Sequence, residues 1–370
     1  MKVGIIGCGR IAQVHLTALR SLPWVEMVGV CDTNPQAAQA TAQRFGIEGV
    51  YASPEELFRR AEPQAVHVLT PPHTHAALVR LALEAGVHVF VEKPMTTSTA
   101  EAEALCALAR QQRVSLCVDH NRLFDPVVKQ ALALALAGKI GDVVSVETYQ
   151  GFQRQALLDG AARGSQHSAA EAFYNLAIHS VYLQLAFLGS MHRLEVMGRK
   201  TGRLSGSFAE ECRVLLEGKK ALGYLCFSVD IQPHLNALHI YGTTGSLFLN
   251  LNTMTLVSHT ASRLPKLLQK GAYNITEALQ LLTAAARNAA LMAMRRLTLY
   301  PGIAEVIRRF YTSLEQGTFP PVSAEEGCEA VRVLEQIYAR AAQEDLDKDV
   351  TERASGKPSP MLLRLVREAG

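Results

Sequence analysis

The stretch Lys2-Val3-Gly4-Ile5-Ile6-Gly7-Cys8-Gly9-Arg10-Ile11-Ala12 decides the fold of this chain. It is a short apolar strand followed by the spacing Gly-x-Gly-x-x-Ala, and a helical segment is predicted over Gln13–Ser21. A second predicted strand, Glu26–Cys31, ends at Asp32, which lies twenty positions past Ala12. Strand, glycine turn, helix, strand and acidic residue in this order form the fingerprint of a dinucleotide-binding unit.

Each position of the glycine turn has a physical role in such a unit. Gly7 permits the tight turn, and Gly9 has no side chain to hold the backbone away from a pyrophosphate. Ala12 is small enough for the helix to pack against its strand. Arg10 and Ile11 lie between them, where backbone N–H groups and the helix dipole favour phosphate. All five residues are therefore predicted to bind the cofactor.

Asp32 indicates which dinucleotide is bound. Its carboxylate would accept hydrogen bonds from the ribose hydroxyls and repel a 2′-phosphate. No Arg or Lys follows it until Arg44. The pattern therefore favours NAD over NADP. The alternative is a glycine turn in an α/β protein that binds no dinucleotide.

Composition limits the classes of protein that fit. A length of 370 residues suggests two domains, and 48% apolar residues are enough for buried cores. A net charge of +3 is too small to indicate nucleic acid as a partner. The seven cysteines contain no C-x-x-C pair, which is typical of reduced thiols in the cytoplasm. No secretory signal or membrane-spanning run is evident.

The alternation of strands and helices continues after Asp32. Short apolar strands are predicted at Ala65–Leu69, His88–Val91 and Ser115–Val118, and helices at Thr74–Ala85 and Thr99–Gln112. Strands of this kind are typical of a doubly wound parallel sheet covered on both faces. We therefore expect the ligand beyond the carboxyl ends of the strands.

Polar residues follow three of these strands and are expected at the cofactor cleft. The Lys93 ammonium could hold a substrate hydroxyl and stabilise a developing oxyanion, although a surface ion pair with Glu92 is an equal alternative. The pair His73 and His75 lacks a third residue spaced to complete a metal site, so no metal is predicted. The predicted cofactor-binding residues after these strands are Thr70, Pro71, His73, His75, Glu92, Lys93, Asn121 and Arg122.

Together, the fingerprint, Thr70-Pro71-Pro72-His73, Glu92-Lys93-Pro94 and Asn121-Arg122 resemble the Gfo/Idh/MocA oxidoreductases. The resemblance implies an NAD(P)-dependent enzyme that acts on sugars, cyclitols or sugar nucleotides. It also implies a second, α+β domain with a large, mostly antiparallel open sheet. The expected organisation is an NAD-binding Rossmann domain at 1–122, a substrate and oligomerisation domain at 123–350, and a tail at 351–370. Strand-like runs that agree with the second sheet are Val143–Gln150, Arg193–Met197, Cys212–Leu216, Ala221–Ser228, Asn236–Tyr241 and Ser246–Asn250.

The family's second motif, Asp-x-Gly-x-His, matches Asn175-Leu176-Ala177-Ile178-His179. The resemblance makes His179 the general acid/base with Lys93 as its partner, and Asn175 is expected to orient the histidine or the substrate. Three departures lie here: Asn175 replaces Asp, Ala177 replaces Gly, and Tyr182 stands where Asp is common. The preceding Ser165–Glu171 lacks the usual glycine cluster. Arg122 and Tyr149 are further candidates for the cleft wall.

An apparent helical insertion spans 258–300, with a helix expected over Thr276–Leu297. Its only acid is Glu277, and its basic residues are Arg263, Lys266, Lys270, Arg287, Arg295 and Arg296. A basic amphipathic helix can pack on its own protein, cover the active site, or form an oligomer contact. Through 263–296 it can also lie on an anionic membrane or attract the phosphates of a nucleotide sugar.

The leading hypothesis is an NAD-dependent oxidoreductase that moves a hydride between nicotinamide and a secondary alcohol/ketone pair of a sugar, cyclitol or nucleotide sugar. One alternative enzyme keeps NAD bound in a closed redox cycle of hydrolysis or internal redox exchange. Another alternative is a non-catalytic NAD-binding sensor. A homodimer or homotetramer is expected, because relatives with an open sheet face commonly associate.

Overall fold

A six-stranded parallel sheet forms the first part of the chain. The computed structural model describes residues 1–152, 169–200, 209–262, 264–294 and 300–344. The strand order is β3-β2-β1-β4-β5-β6. Strands β2 and β3 are added on one side of β1, and strands β4 to β6 are added on its other side. The strands are β1 (Lys2–Ile6), β2 (Glu26–Cys31), β3 (Val50–Tyr51), β4 (Ala65–Val68), β5 (His88–Val91) and β6 (Leu116–Val118). The helices between them are α1 (Arg10–Arg20), α2 (Pro35–Phe45), α3 (Pro54–Ala61), α4 (Pro72–Glu84) and α5 (Thr99–Gln112).

Local sequence explains where these helices begin. Ser53 caps α3 by accepting a hydrogen bond from the Glu56 N–H at 3.2 Å, and Asn34 caps α2 in the same way. The N-cap of α1 is Gly9, which has no capping side chain. The first N–H groups of α1 are therefore left for a ligand. This helix begins at Arg10, within the fingerprint, rather than at Gln13.

The second sheet has seven strands in the order β13-β12-β11-β7-β10-β9-β8. Among the described strands of this second sheet, only the β7–β10 pair is parallel, so the predicted mostly antiparallel sheet and the α/β fold class are confirmed. A 3₁₀ turn, Asn121–Phe124, and α6 (Pro126–Leu136) join the two sheets, and α7 (Ala169–Leu188) covers one face of the second. The strands are β7 (Val143–Gly151), β8 (Met191–Arg199), β9 (Glu211–Gly218), β10 (Leu222–Ser228), β11 (Leu235–Gly242), β12 (Gly245–Asn250) and β13 (Thr255–Thr260).

The last two described helices pack into the cores of the sheets, the first of them into one core and the second into both. Helix α9 (Pro301–Gln316) places Ile303, Phe310 and Tyr311 in the core of the first sheet. Helix α10 (Ala324–Glu344) contributes Val331 to that core and Leu334 to the core of the second sheet. The division at residue 122 stays a prediction, and the packing shows that late parts of the chain complete the first unit.

The predicted insertion differs from the structure in its boundaries. Residues 258–260 belong to strand β13, which pairs with β12. The helix that follows, α8, is Lys266–Ala293, so it begins ten residues before the expected Thr276. None of the helices in the described ranges is both long and apolar enough to cross a membrane. The tail 351–370 lies outside the described residues.

Candidate active site

The glycine turn has the shape that a bound pyrophosphate requires. Gly7 has a φ of +98°, and a Cβ there would lie 2.8 Å from the main chain of Leu69, so only glycine fits. Gly9 is exposed, and a Cβ built on it would meet nothing within 4 Å. Arg10 and Ile11 begin α1 beside this open space, while Ala12 is fully buried under the helix. These residues fit the phosphates of a dinucleotide.

Asp32 is held at the end of β2 by main-chain groups. Its two carboxylate oxygens accept hydrogen bonds from the N–H of Cys8 at 2.6 Å and of Asn34 at 2.8 Å. The side chain is half-buried, so lone pairs remain for ribose hydroxyls. Burial and the Asp32 charge raise the pKa of the Cys8 thiol to about 11. Cys8 is therefore a neutral thiol beneath the turn rather than a reactive group.

The loop after β4 is tied to the loop after β5 by His75. Its Nδ1 lies 2.8 Å from the Pro94 carbonyl oxygen and its Nε2 lies 2.7 Å from that of Thr70. The ring is fully buried, so His75 positions the two loops and does not face the cleft. Pro71 and His73 are exposed at the start of α4, where a cofactor could meet them.

Lys93 joins the first sheet to the helix that carries the second motif. Its Nζ donates a hydrogen bond to the Asn175 carbonyl oxygen at 2.7 Å. Burial lowers the pKa of Lys93 below its usual value, although Glu92 and Asp119 oppose the shift. The contact uses the main chain of Asn175, so it places the ammonium against α7 whatever side chain stands at that position.

A buried hydrogen-bond network supports Lys93 from behind. Glu92 accepts from the Lys93 N–H at 3.1 Å, and its other oxygen lies 3.0 Å from Nε2 of His15. Burial opposes ionisation of Glu92, but the His15 contact lowers its pKa to about 2. Burial and the neighbouring Glu92 raise the pKa of Asp119 well above its usual range. The two shifts have opposite directions, and both favour the negative charge on Glu92 over Asp119.

The three side chains His15, Glu92 and Asp119 have donor atoms within 4.8 Å of one another. His15 Nδ1 also lies 3.1 Å from Nδ1 of His67, and His67 Nε2 lies 2.9 Å from the Tyr311 hydroxyl. The histidine nitrogens are therefore engaged in a hydrogen-bonded chain that runs from Glu92 to α9. We interpret the cluster as support for the Glu-Lys-Pro loop. The sequence predicts that Glu92 contacts the cofactor. In the structure its side chain points into the core instead.

His179 lies on α7 beside Lys93, and its partner is Tyr182. The Tyr182 hydroxyl lies 2.7 Å from His179 Nδ1, accepts from the Arg122 N–H at 3.2 Å and donates to Asn121 Oδ1 at 3.3 Å. Because we direct the hydroxyl hydrogen of Tyr182 to Asn121, we assign the hydrogen of the shorter contact to Nδ1 of His179. Nε2 is then the free base. Tyr182 thus takes the orienting position that the sequence motif gives to an acid.

The charges around His179 keep it neutral. Burial, followed by the nearby Lys93 and Arg122, lowers its pKa well below the usual value. His120, whose own pKa burial lowers to about 3, stacks on Tyr182 with ring centroids 4.2 Å apart. A neutral imidazole beside an ammonium can accept a proton from a hydroxyl held between them.

Arg122 is fixed at the junction of the two domains. Its guanidinium lies 3.7 Å from Asp125 and 3.1 Å from the side-chain amide of Asn236 on β11. Burial raises the pKa of Asp125 to about 6. Gly302 of α9 packs so tightly here that a Cβ would lie 2.0 Å from the Asn121 carbonyl oxygen. Asn121 and Arg122 are therefore placed by α9 as well as by β6.

Tyr149 and the segment Ser165–Glu171 are the remaining residues expected on the substrate side. Tyr149 does not line the cleft: it donates to Glu147 at 2.7 Å, whereas the neighbouring Thr148 faces α7 and accepts from Gln184. Adjacent strand residues point to opposite faces, so Tyr149 lies on the open face of the second sheet. In Ser165–Glu171, residues 165–168 lie outside the described part of the chain, and 169–171 begin α7.

Comparison with known proteins identifies the family. Residues 1–120 match the family described as "Oxidoreductase family, NAD-binding Rossmann fold", and residues 128–248 match the "GFO/IDH/MocA C-terminal domain". The chain belongs to the Gfo/Idh/MocA oxidoreductases. This confirms the predicted resemblance, the oxidoreductase class and the NAD-binding Rossmann domain.

The names of two relatives assign them reactions on sugars. The chain is 30% identical over 258 residues to dTDP-3,4-didehydro-2,6-dideoxy-alpha-D-glucose 3-reductase of Actinomadura kijaniata, covering 68% of this chain and 74% of the relative. It is 34% identical over 141 residues to D-apiose dehydrogenase of Paraburkholderia graminis, covering 38% of this chain. That match spans only 37% of the relative's length, so no substrate transfers directly from it.

A solved structure shares the fold along most of the chain. The WlbA dehydrogenase of Bordetella pertussis, in complex with NADH and UDP-GlcNAcA, superposes with a TM-score of 0.76 at 20% identity. The superposition covers 93% of this chain and 96% of that one. At this identity the likeness shows the fold alone.

Proposed function

We propose that this protein is an NAD-dependent oxidoreductase that interconverts a secondary alcohol and a ketone on a sugar, cyclitol or nucleotide sugar. The contact of Lys93 Nζ with the main chain of Asn175 carries the proposal, because it sets the ammonium beside His179 at the carboxyl ends of the strands. Bound NAD would supply hydride acceptance and donation at its nicotinamide. The assigned relatives, which act on carbohydrate hydroxyls, support the substrate class.

Different residues of the protein bind the cofactor, hold the reacting oxygen and accept the proton. Lys93 holds the reacting oxygen and stabilises its negative charge, and Nε2 of His179 accepts the hydroxyl proton during oxidation. Tyr182 fixes the imidazole through Nδ1. Asn175 supplies its carbonyl oxygen to Lys93, and we propose that its side chain contacts substrate. Asp32 and Gly9 bind the two ends of the adenosine diphosphate half of the cofactor.

The charge of the cleft guides the choice of test substrates. Burial lowers the pKa of His179, and the nearby charges of Lys93 and Arg122 lower it further. A cleft with two cations attracts phosphate or carboxylate groups. Nucleotide sugars and sugar acids therefore belong in the panel beside neutral sugars and cyclitols.

The decisive experiment is the NADH absorbance of purified protein with NAD and this panel. A signal with one substrate class that disappears in His179→Ala supports the proposal. If the wild type gives no signal although calorimetry shows NAD binding, the proposal is wrong, and NAD retained through purification would indicate the closed redox cycle. Free exchange of NAD would then indicate a sensor.

Compartment and assembly are also part of the proposal. All seven cysteines are free and buried, as expected for a reducing compartment, so we propose the cytoplasm. The open face of the second sheet carries Tyr149, Tyr224 and His239 side by side, an aromatic surface that suits association of protomers. Sedimentation velocity would distinguish a dimer or tetramer from a monomer.

A further inference from the structure

Helix α8 contacts the rest of the protein through its polar side. The Gln280 side chain accepts from the Ser258 N–H at 2.9 Å and donates to the Ser258 carbonyl oxygen at 3.1 Å. Asn288 donates to the Thr253 carbonyl oxygen at 2.8 Å, and the Tyr273 hydroxyl donates to another carbonyl of β13 at 3.0 Å. Among the described strands, β13 is the edge of the sheet, so Gln280 and Tyr273 satisfy backbone groups of β13 that have no strand partner, and Asn288 does the same for the turn before it.

The apolar side of α8 consequently faces outward. No residue of the helix is buried, and Leu267, Ile275 and Leu282 are 83%, 64% and 67% exposed. Of the 17 exposed large apolar side chains in the described parts of the chain, ten lie between Leu264 and Tyr300. Within the described residues, the helix therefore does not bury its apolar face against its own protein, which was the simplest expectation from sequence.

The outward residues form one continuous stripe. Leu268, Ile275, Leu282 and Ala289 are spaced by seven, and the positions three residues after each, 271, 278, 285 and 292, are Gly, Ala, Ala and Met. A helix of 28 residues is about 42 Å long, so the stripe is an extended surface without a charge. A contiguous exposed apolar surface of this kind marks a binding site for another apolar surface.

Charge distinguishes between the surfaces that could cover the stripe. The exposed Lys266 and Lys270 lie outside the apolar stripe, and Arg287 lies on the side that meets β13. The helix has one acid, Glu277, which lies 3.6 Å from Nε2 of His259. A second copy of α8 would bring the same excess of positive charge to the contact. A layer of anionic headgroups would complement it.

We propose that α8 attaches the protein to an anionic phospholipid surface, with its apolar stripe in the boundary between headgroups and acyl chains and its basic residues at the headgroups. A helix with an uncharged apolar side and basic residues on its polar side lies in the plane of a membrane. The interaction is peripheral, in keeping with the finding that no described helix could span a bilayer. It is independent of the proposed reaction.

The test is co-sedimentation of the full chain with vesicles. We expect the protein to pellet with vesicles of phosphatidylcholine and phosphatidylglycerol in equal parts, and to remain largely in the supernatant with phosphatidylcholine alone. Added salt should weaken the binding, because it screens the charges. A wild-type protein that stays in the supernatant with both vesicle types would overturn the proposal.

Matched variants separate the apolar contribution to vesicle binding from the electrostatic one. Ile275→Asp with Leu282→Asp should lower the partition coefficient by at least about tenfold, whereas Phe319→Asp, at a 94% exposed apolar residue far along the chain, should not. Lys266→Glu with Lys270→Glu should weaken binding to the anionic vesicles, whereas Lys220→Glu should not. Unchanged thermal unfolding checks that each variant is folded.

Two results would contradict the assignment to lipid. One is a double aspartate variant that binds vesicles as well as wild type. The other is a wild-type dimer that Ile275→Asp with Leu282→Asp splits into monomers, with no vesicle binding in either form. The second result would identify another copy of this chain as the occupant of the stripe.

Discussion

The two walls of the proposed cleft are built in different ways. On the cofactor side, main-chain groups do the work: the N–H groups of Cys8 and Asn34 hold Asp32, and Gly9 leaves the start of α1 open. On the side of α7, a side-chain hydroxyl, that of Tyr182, holds His179. A site made of main-chain groups depends on a fixed backbone pattern, whereas an orienting side chain can be exchanged for another with a suitable acceptor.

The largest effect is expected on the α7 side. His179→Ala and Lys93→Ala should each lower turnover about 10²–10⁴-fold, because proton transfer and charge stabilisation are lost. NAD affinity should not change, since the cofactor wall is untouched. Turnover is followed by NADH absorbance and affinity by calorimetry. Wild-type turnover in both variants would show that neither Lys93 nor His179 acts in the reaction.

The corresponding change on the other wall is Gly9→Val. A Cβ here meets no protein atom within 4 Å, so the fold should persist, but the new side chain occupies the space expected for the pyrophosphate. NAD affinity should fall at least about tenfold. Gly271→Val is the control, because a Cβ at Gly271 also meets nothing within 4 Å, but on α8. Equal NAD affinity in the two variants would place the cofactor elsewhere.

A smaller effect is expected from Tyr182→Phe. The ring can still stack on His120, but Nδ1 of His179 loses its acceptor and the tautomer is no longer fixed. We expect kcat to fall about tenfold, the weight of one hydrogen bond, with little change in KM. Tyr174→Phe on the same helix is the control, because its ring packs against Tyr338 instead. Equal kcat values in the two variants would refute the orienting role.

The smallest effect concerns pH. Burial and nearby cations lower the pKa of His179, so its proton is lost at lower pH and the neutral base persists into mildly acidic solution. The acid limb of kcat/KM should therefore lie below the usual histidine value of about 6.5. Burial also lowers the pKa of Lys93, so the alkaline limb should lie below about 10.4. An acid limb at or above the usual value would show that a different base acts.

Sequence predicts the first sheet well for a physical reason. Gly7, Gly9 and Asp32 act through local backbone conformation and a fixed distance along the chain, and both can be read from order and spacing. Apart from His67 and His88, strands β4, β5 and β6 consist of buried apolar residues, which is also a local signal. The Glu-Lys-Pro loop and the second motif could be matched in the same way.

Other features depend on contacts between distant residues. The core position of Tyr311 could not be predicted, because its partner His67 lies 244 positions earlier. His75 and Glu92 were expected at the cofactor, yet both point into the protein, since sequence does not show which way a loop side chain turns. Tyr182 was visible only as a departure from the motif, and its role required the geometry of Arg122 and His179.

The sequence by itself determined the α/β class and the dinucleotide fingerprint, and it led to the proposal of Lys93 and His179 as the reacting pair, because all of these depend on local spacing and residue type. Only the tertiary structure decided which partner orients His179 and which side of α8 is exposed. Helical periodicity shows that α8 has an apolar side but not what that side faces. The orientation of the helix follows from hydrogen bonds between its polar side chains and the backbone of β13 and of the turn before it.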